Sequence, residues 1–313
     1  MTIKKTYIFL SLLVLIAALG YVNRSAIIIK VLPNAVTKVM AGDKIADLGD
    51  GMHVALCGAG GPMPSSTRSG PCVAVIANNK MFVVDAGSGG SRNLGRMGFS
   101  TGSIEGVFLT HFHSDHIDGL GELSMTRWVT GTHKEALPVF GPTGLESVVE
   151  GFNHAYGQDA VYRHAHHGDS VAALSGNGMS AKSFDVPKDG TKVTVYDQGG
   201  VTIEMFSVDH KPISPAVGYL FTYKGRTALI SGDTTKNTNV ELFSKNIDLL
   251  VHEALSPELL RIMSESADAA GNSSVSKIFH DVLDYHTSPV EAAEIARDAQ
   301  AQHLLYYHIV PPL

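Results

Sequence analysis

His111-Phe112-His113-Ser114-Asp115-His116 gathers three imidazoles and a carboxylate into six residues, directly after the apolar run Gly106-Val107-Phe108-Leu109-Thr110. The run reads as a buried strand, so the cluster sits at a strand end. Holding so many lone-pair donors together is costly unless something positive sits among them. The chain has 15 histidines, and a chance match is on the order of a few in a thousand. The segment is therefore read as a metal-binding loop and not as a solvated His-rich turn.

Outward from this loop the pattern is of strands ending in polar turns. Residues 54–57, 72–77 and 81–85 read as strands, with Asn78-Asn79 as a hairpin turn. In the second half residues 201–208, 217–222, 227–231 and 247–251 read the same way. Ser288-Pro289-Val290-Glu291 combines a capping residue, a proline at the first helical position and a glutamate able to complete a capping box. The helix it opens runs to about residue 300 and leads into a strand at 303–308. Strands in two groups, with helices between and after them, predict two sheets faced by helices.

With 313 residues, 44% hydrophobic and 17% charged, the chain can bury a sizeable core, and disorder is not the default. Its start has the layout of an export signal: Lys4-Lys5, a largely apolar stretch at 7–22, then Asn23-Arg24. Residues 1–22 are read as a signal peptide or an N-terminal membrane anchor, residues 23–48 as a linker and residues 49–313 as the functional domain. A periplasmic or secreted location is expected. The formal charge is −6, and loss of the two leader lysines takes it to −8. With no basic run elsewhere, a nucleic-acid polyanion is repelled on average. Cys57 and Cys72 flank a Gly/Pro-rich loop; a disulfide and two buried free thiols explain the pair equally.

At the His cluster the chain resembles the metallo-β-lactamase superfamily, and the resemblance extends over residues ~53–313. His210 in Val208-Asp209-His210, Asp233 in Ser231-Gly232-Asp233 and His308 in Tyr306-Tyr307-His308 follow in the family's order, each at a strand end. The resemblance implies an α/β fold, the αββα four-layer sandwich of metallo-β-lactamase type. It also implies two zinc ions, with Mn or Fe as substitutes. One would be held by His111, His113 and His210, the other by Asp115, His116 and His308, with Asp233 between them. Asp85 resembles the family's aspartate that orients a ligand histidine. No cysteine stands among the ligands, which lowers β-lactam hydrolysis in rank.

His286, 22 residues before His308, is similar to a histidine of the ribonuclease Z and zinc arylsulfatase-type branch that protonates the leaving oxygen. Asp115 and His286 are the catalytic residues so implied, with a metal-bridging hydroxide as nucleophile. Two zinc ions, two aspartates and a hydroxide leave a net charge of about +1, which suits a monoanionic sulfate or phosphate ester. Only 22 residues separate His210 from Asp233, whereas ribonuclease Z members carry a long RNA-gripping arm there. The expectation is thus a hydrolase of a small-molecule anionic ester, with no nucleic-acid partner. Rivals are a lactonase or other carboxylic-ester hydrolase on the same metals, and an iron-binding redox protein. Arg68 is a candidate for meeting an anionic substrate. Trp128, with Leu123 and Met125, offers an apolar wall, although core packing is the default for such residues. His252-Glu253-Ala254 is read as supporting structure, and His164, His166 and His167 as a surface insertion. Residues 7–22 could anchor the chain to a membrane, and the oligomeric state is open, with a homodimer compatible.

Overall fold

The computed structural model describes residues 2–40, 42 and 44–312, which divide into two units, Met1–Asp43 and Lys44–Leu313. The first unit holds helices α1 (Thr2–Val22) and α2 (Arg24–Met40). Among the described residues no single helix is long and apolar enough to cross a membrane; Leu13–Val22 and Arg24–Thr37 meet the requirement only together, bent by 73°. The stretch read as a linker is mostly helical: α2 continues through Pro33, and α3 (Lys44–Asp47) anchors the second unit through buried Ile45.

The second unit is built on two six-stranded sheets. The first runs β1 (Met52–Gly58), β2 (Cys72–Ala77), β3 (Lys80–Val84), β4 (Ile104–Phe108), β5 (Leu137–Pro142) and β6 (Met179–Phe184), in that order. The second runs β12 (His303–Val310), β11 (Leu249–Leu255), β10 (Arg226–Ile230), β9 (Val217–Tyr223), β8 (Val201–Ser207) and β7 (Val193–Gln198). In each sheet the early strands pair antiparallel and the later ones, β3 to β6 and β10 to β12, parallel.

Burial explains the sequences. Every residue of β2 is buried, because both faces are covered and no polar alternation is tolerated. Val73, Val75, Phe82 and Phe108 meet Ile203, Met205, Tyr219 and Phe221 between the sheets. The outer face of the first sheet is covered by α4 (Gly90–Arg96), α5 (Ser114–Ile117), α6 (Leu120–Gly131), α7 (Leu145–His167) and α8 (Asp169–Ala172); Leu94, Leu123, Leu145 and Val149 join that core. The outer face of the second is covered by α9 (Thr238–Phe243) and α12 (Pro289–Asp298), through Val240, Ile295 and Ala296. The result is a four-layer αββα sandwich. Two further helices, α10 (Pro257–Ala269) and α11 (Ser273–Asp281), form a hairpin whose Leu260, Phe279 and Val282 pack on Leu255 and Val310 at the strand ends.

Ser288 caps α12 with the full capping box, and the helix stops at Asp298, two residues before the expected end. The sequence reading did not identify β5, β6, β7 or α7. β5 contains two prolines, β6 and β7 are sheet edges with little apolar alternation, and α7 has a weakly amphipathic pattern. His164, His166 and His167 lie in the last turn of α7, at the surface, with His166 and His167 exposed. Cys57 and Cys72 form a disulfide that closes the base of the 58–71 loop.

Candidate metal centre

All seven residues expected as ligands converge at one edge of the sandwich, where strand ends of both sheets meet. His111 follows β4, His210 follows β8, Asp233 follows β10, and His308 lies within β12. Asp115 and His116 are brought in by the single turn of α5. The potential ligand atoms group as His111, His113, His210 and Asp233; as Asp115, His116 and His308; and as Asp233, His286 and His308, each within 4.8 Å.

Asp233 is the hub. Its Oδ2 lies 3.3 Å from His116 Nε2 and His308 Nε2, 3.8 Å from His111 Nε2 and 3.9 Å from His210 Nε2. His113 Nδ1 lies 3.0 Å from His111 Nε2 and 3.5 Å from His210 Nε2. A tetrahedral ion with ~2.05 Å bonds has ligands ~3.3 Å apart, so these separations suit donors facing shared cations. The buried His116 Nε2 and Asp233 Oδ1 have no hydrogen-bond partner. Buried polar atoms left so are uncommon, and lone pairs aimed at one point are what a divalent ion would satisfy.

The outward nitrogens are tied down by the chain. His116 Nδ1 donates to Asp85 at 2.8 Å, and His210 Nδ1 donates to the Tyr285 carbonyl at 2.8 Å. Thr110 Oγ1 donates to Asp85 and lies 3.1 Å from His111 Nδ1, which is thereby a donor to it. With Nδ1 carrying the proton in His111 and His210, their Nε2 lone pairs point toward Asp233, and His116 turns its own Nε2 to the same carboxylate. Burial lowers the pKa of His111, His210 and His113, which keeps them neutral and ready as donors. Burial also pushes His116 down, but Asp233 and Asp85 outweigh it and hold it well above the ordinary value. Asp233 is held well below the carboxylate range: burial raises it, and His308 and His116 overcome that.

Two residues adopt strained backbone to serve this edge. Asp85, after β3, has φ 57° and His308 has φ 43°, left-handed values that cost energy for non-glycine residues. In β12 Tyr307 pairs with Glu253 and Ile309 with Ala254, which leaves His308 in a bulge. Leu305 and Tyr307 face the inter-sheet core, so regular alternation would send His308 to the opposite face; the bulge turns it into the site.

His286 sits beside the ligands, its ring 5.1 Å from that of His210 and 5.4 Å from that of His308. Its Nδ1 donates to Glu253 Oε1 at 2.8 Å, leaving Nε2 for the cavity. Burial depresses its pKa, but Glu253 more than compensates and lifts it to about 9. Glu253 is fully buried, and the same oxygen accepts from the backbone of Thr234 and Thr287. It lies outside the clustered ligand atoms and supports the site from behind, through His286 and the backbone on either side. A sequence signal existed: alternation along β11 puts Glu253 on the inward face shared with Val251.

Arg68 is not at the ligands but lines an adjoining cavity of about 380 Å³ that also reaches Asp115. Trp128 is 1% exposed, and its Nε1 donates to the Ala173 carbonyl. It is core, and the apolar wall facing the centre is supplied by the α10–α11 hairpin instead.

Known proteins resemble this chain in sequence and in fold. The family described as "Beta-lactamase superfamily domain" matches residues 81–309. Ribonuclease Z from Mycobacterium sp. (strain KMS) is 31% identical over 263 residues, covering 84% of this chain and 85% of the relative. Ribonuclease Z from Mycobacterium marinum is 31% identical over 264 residues, with 84% and 88% covered. Among solved structures, the short form of human tRNase Z is 20% identical with a TM-score of 0.62, covering 82% of this chain and 92% of that one. The metallo-β-lactamase fold protein YhfI from Bacillus subtilis is 22% identical with a TM-score of 0.56, covering 83% and 87%. At these identities the two structures bear on the fold alone. Relatives named for RNA cleavage overturn the expectation of a small-molecule anionic ester with nucleic acid excluded. The reason is physical: net charge governs average repulsion, whereas a substrate is gripped locally, where cations can dominate.

Proposed function

The chain belongs to the metallo-β-lactamase superfamily, in its ribonuclease Z-like branch, and is a metal-dependent hydrolase of ester bonds; on that footing we propose that it cleaves a nucleic-acid phosphodiester with two zinc ions. The observation that carries this reading is the Asp233 hub, with four imidazole nitrogens at 3.3 to 3.9 Å and His286 beside them. His111, His113 and His210 would hold one ion, Asp115, His116 and His308 the other, and Asp233 both. Bound there, the ions would activate water near neutral pH and draw charge from the ester oxygens. The curated relatives, named ribonuclease Z, support a phosphodiester over a sulfate ester.

The chain's own groups do the rest. Asp85, Thr110 and the Tyr285 carbonyl fix the imidazoles before substrate arrives. Glu253 keeps a proton on His286, and Nε2 of that ring is the atom placed to deliver it to the leaving oxygen. The domain is further assigned to an oxidising compartment outside the cytoplasm. The Cys57–Cys72 disulfide and the apolar α1 support this, and thiol labelling in intact cells should find both cysteines unreactive until reduced.

Protein of measured zinc content should cleave a single-stranded RNA oligonucleotide and bis(p-nitrophenyl) phosphate, stop on chelation and recover on zinc addition. Turnover of p-nitrophenyl sulfate or of a lactone, with neither phosphodiester touched, would overturn the reading.

A further inference from the structure

Two cavities of opposite character meet at the metal ligands. One, of about 250 Å³, is bounded on one side by His113, Asp115, Asp233, His286 and His308, and it has room for roughly eight waters. Its far wall is Leu260 of α10, Ile278 and Phe279 of α11, and Val282 beyond them, with no lysine or arginine among the described lining residues. The other is polar, lined by Ser65, Arg68, Ser69 and Ser88 together with Asp115 and Asp118, and among the described residues it holds the one guanidinium found in either lining. His286 lines the apolar cavity and not the polar one.

This asymmetry assigns direction to the cleavage. His286 supplies the proton to the departing oxygen, so the group that departs occupies the cavity His286 lines. The group that keeps the phosphate faces the side where Arg68 stands. A departing strand with further phosphates would press charges against an apolar wall that offers no cation, at a desolvation cost. A flat base would instead cover Phe279 and Ile278, the latter 59% exposed.

We infer that the α10–α11 wall seats the base of a terminal, unphosphorylated leaving nucleoside, making Phe279 and Ile278 specificity-determining residues. This rests on the phosphodiesterase reading above. The step balances as a hydrolysis: the bond from phosphorus to the nucleoside oxygen breaks, water contributes the new hydroxyl on phosphorus, and the freed oxygen takes its proton from His286. His286 is reprotonated by the proton that water releases.

The test uses the zinc-loaded full chain and the dinucleoside monophosphate of two uridines, with two analogues that each lack one base. Removal of the base on the departing side should lower kcat/KM roughly tenfold, and the other analogue should fall less. Phe279→Ala should close most of that gap and Phe279→Trp should keep it. Ile278→Ala, at a position with little packing to lose, should narrow the gap at unchanged zinc content and circular dichroism. A phosphate added to the departing nucleoside should lower kcat/KM further. Equal rates for the three substrates in the unmodified protein would overturn the inference while leaving phosphodiester cleavage intact. Cleavage of none of them while the RNA oligonucleotide is still cut would overturn the inference alone, and failure on these, the oligonucleotide and bis(p-nitrophenyl) phosphate would sink the phosphodiesterase reading as well.

Discussion

Glu253 and His286 form a pair whose energetics can be followed with pH. In the metal-free protein burial favours neutral His286, yet Glu253 holds its pKa at about 9 against an ordinary 6.5. The folded state binds this proton more tightly than the unfolded chain does. Its stabilisation is therefore complete below pH 6.5 and is lost as pH rises through about 9. The amount is on the order of 3 kcal/mol. Urea midpoints of chelated protein should fall across that window, and His286→Gln should flatten the fall; a flat profile in the unmodified protein would refute the pairing. In turnover, His286→Ala should cost about 10²- to 10⁴-fold on RNA and far less on bis(p-nitrophenyl) phosphate, whose leaving group needs little protonation. His111 to His116 were legible because their spacing is local. What Glu253 supports was not legible, since its partners Thr234, His286 and Thr287 are 19, 33 and 34 residues away.

The 58–71 loop shows how an element can hold a site without supplying a ligand. Its base is closed by Cys57–Cys72, its backbone pairs with β12 through Gly60 and Ile309, and Gly61 stands close against His308. A Cβ at Gly61 would lie 2.8 Å from Val310 Cγ2 and 3.1 Å from His308 Cε1. Gly61→Ala should therefore push His308 aside and weaken zinc binding by roughly tenfold or more, measurable by competition with a chelator. Replacing both cysteines by serine should lower stability by about 3 kcal/mol for a loop of this length, and an unchanged melting temperature would speak against the disulfide. At α12 the signal was readable, because Ser288, Pro289 and Glu291 act on their own neighbours. The β12 bulge was not, because it exists only in the register with β11.

For the molecule as a whole, the centre joins ends of both sheets, so ion binding and global folding are coupled. At zinc concentrations near a thousand times Kd, the holo form should gain about 4 kcal/mol, seen as a melting temperature that rises with free zinc. Every candidate ligand lies in the Lys44–Leu313 unit. A chain cut before Lys44 should thus retain zinc stoichiometry and RNA cleavage, and loss of metal from the shortened protein would contradict that division. The overturned expectation about nucleic acid belongs to this scale, since one net charge averages over surfaces that a substrate never meets. The amino-acid sequence alone determined the strand-ending His cluster, the capped last helix and two sheets faced by helices, because each depends on short-range pattern or on residue chemistry; the order of ligands and the four-layer sandwich were implied by the family resemblance. Which face His308 presents, that Glu253 holds His286, and that α10 and α11 rather than Trp128 wall the cavity were decided only by tertiary structure. Those outcomes depend on strand register and on packing between segments far apart in the chain, where no local periodicity carries the information.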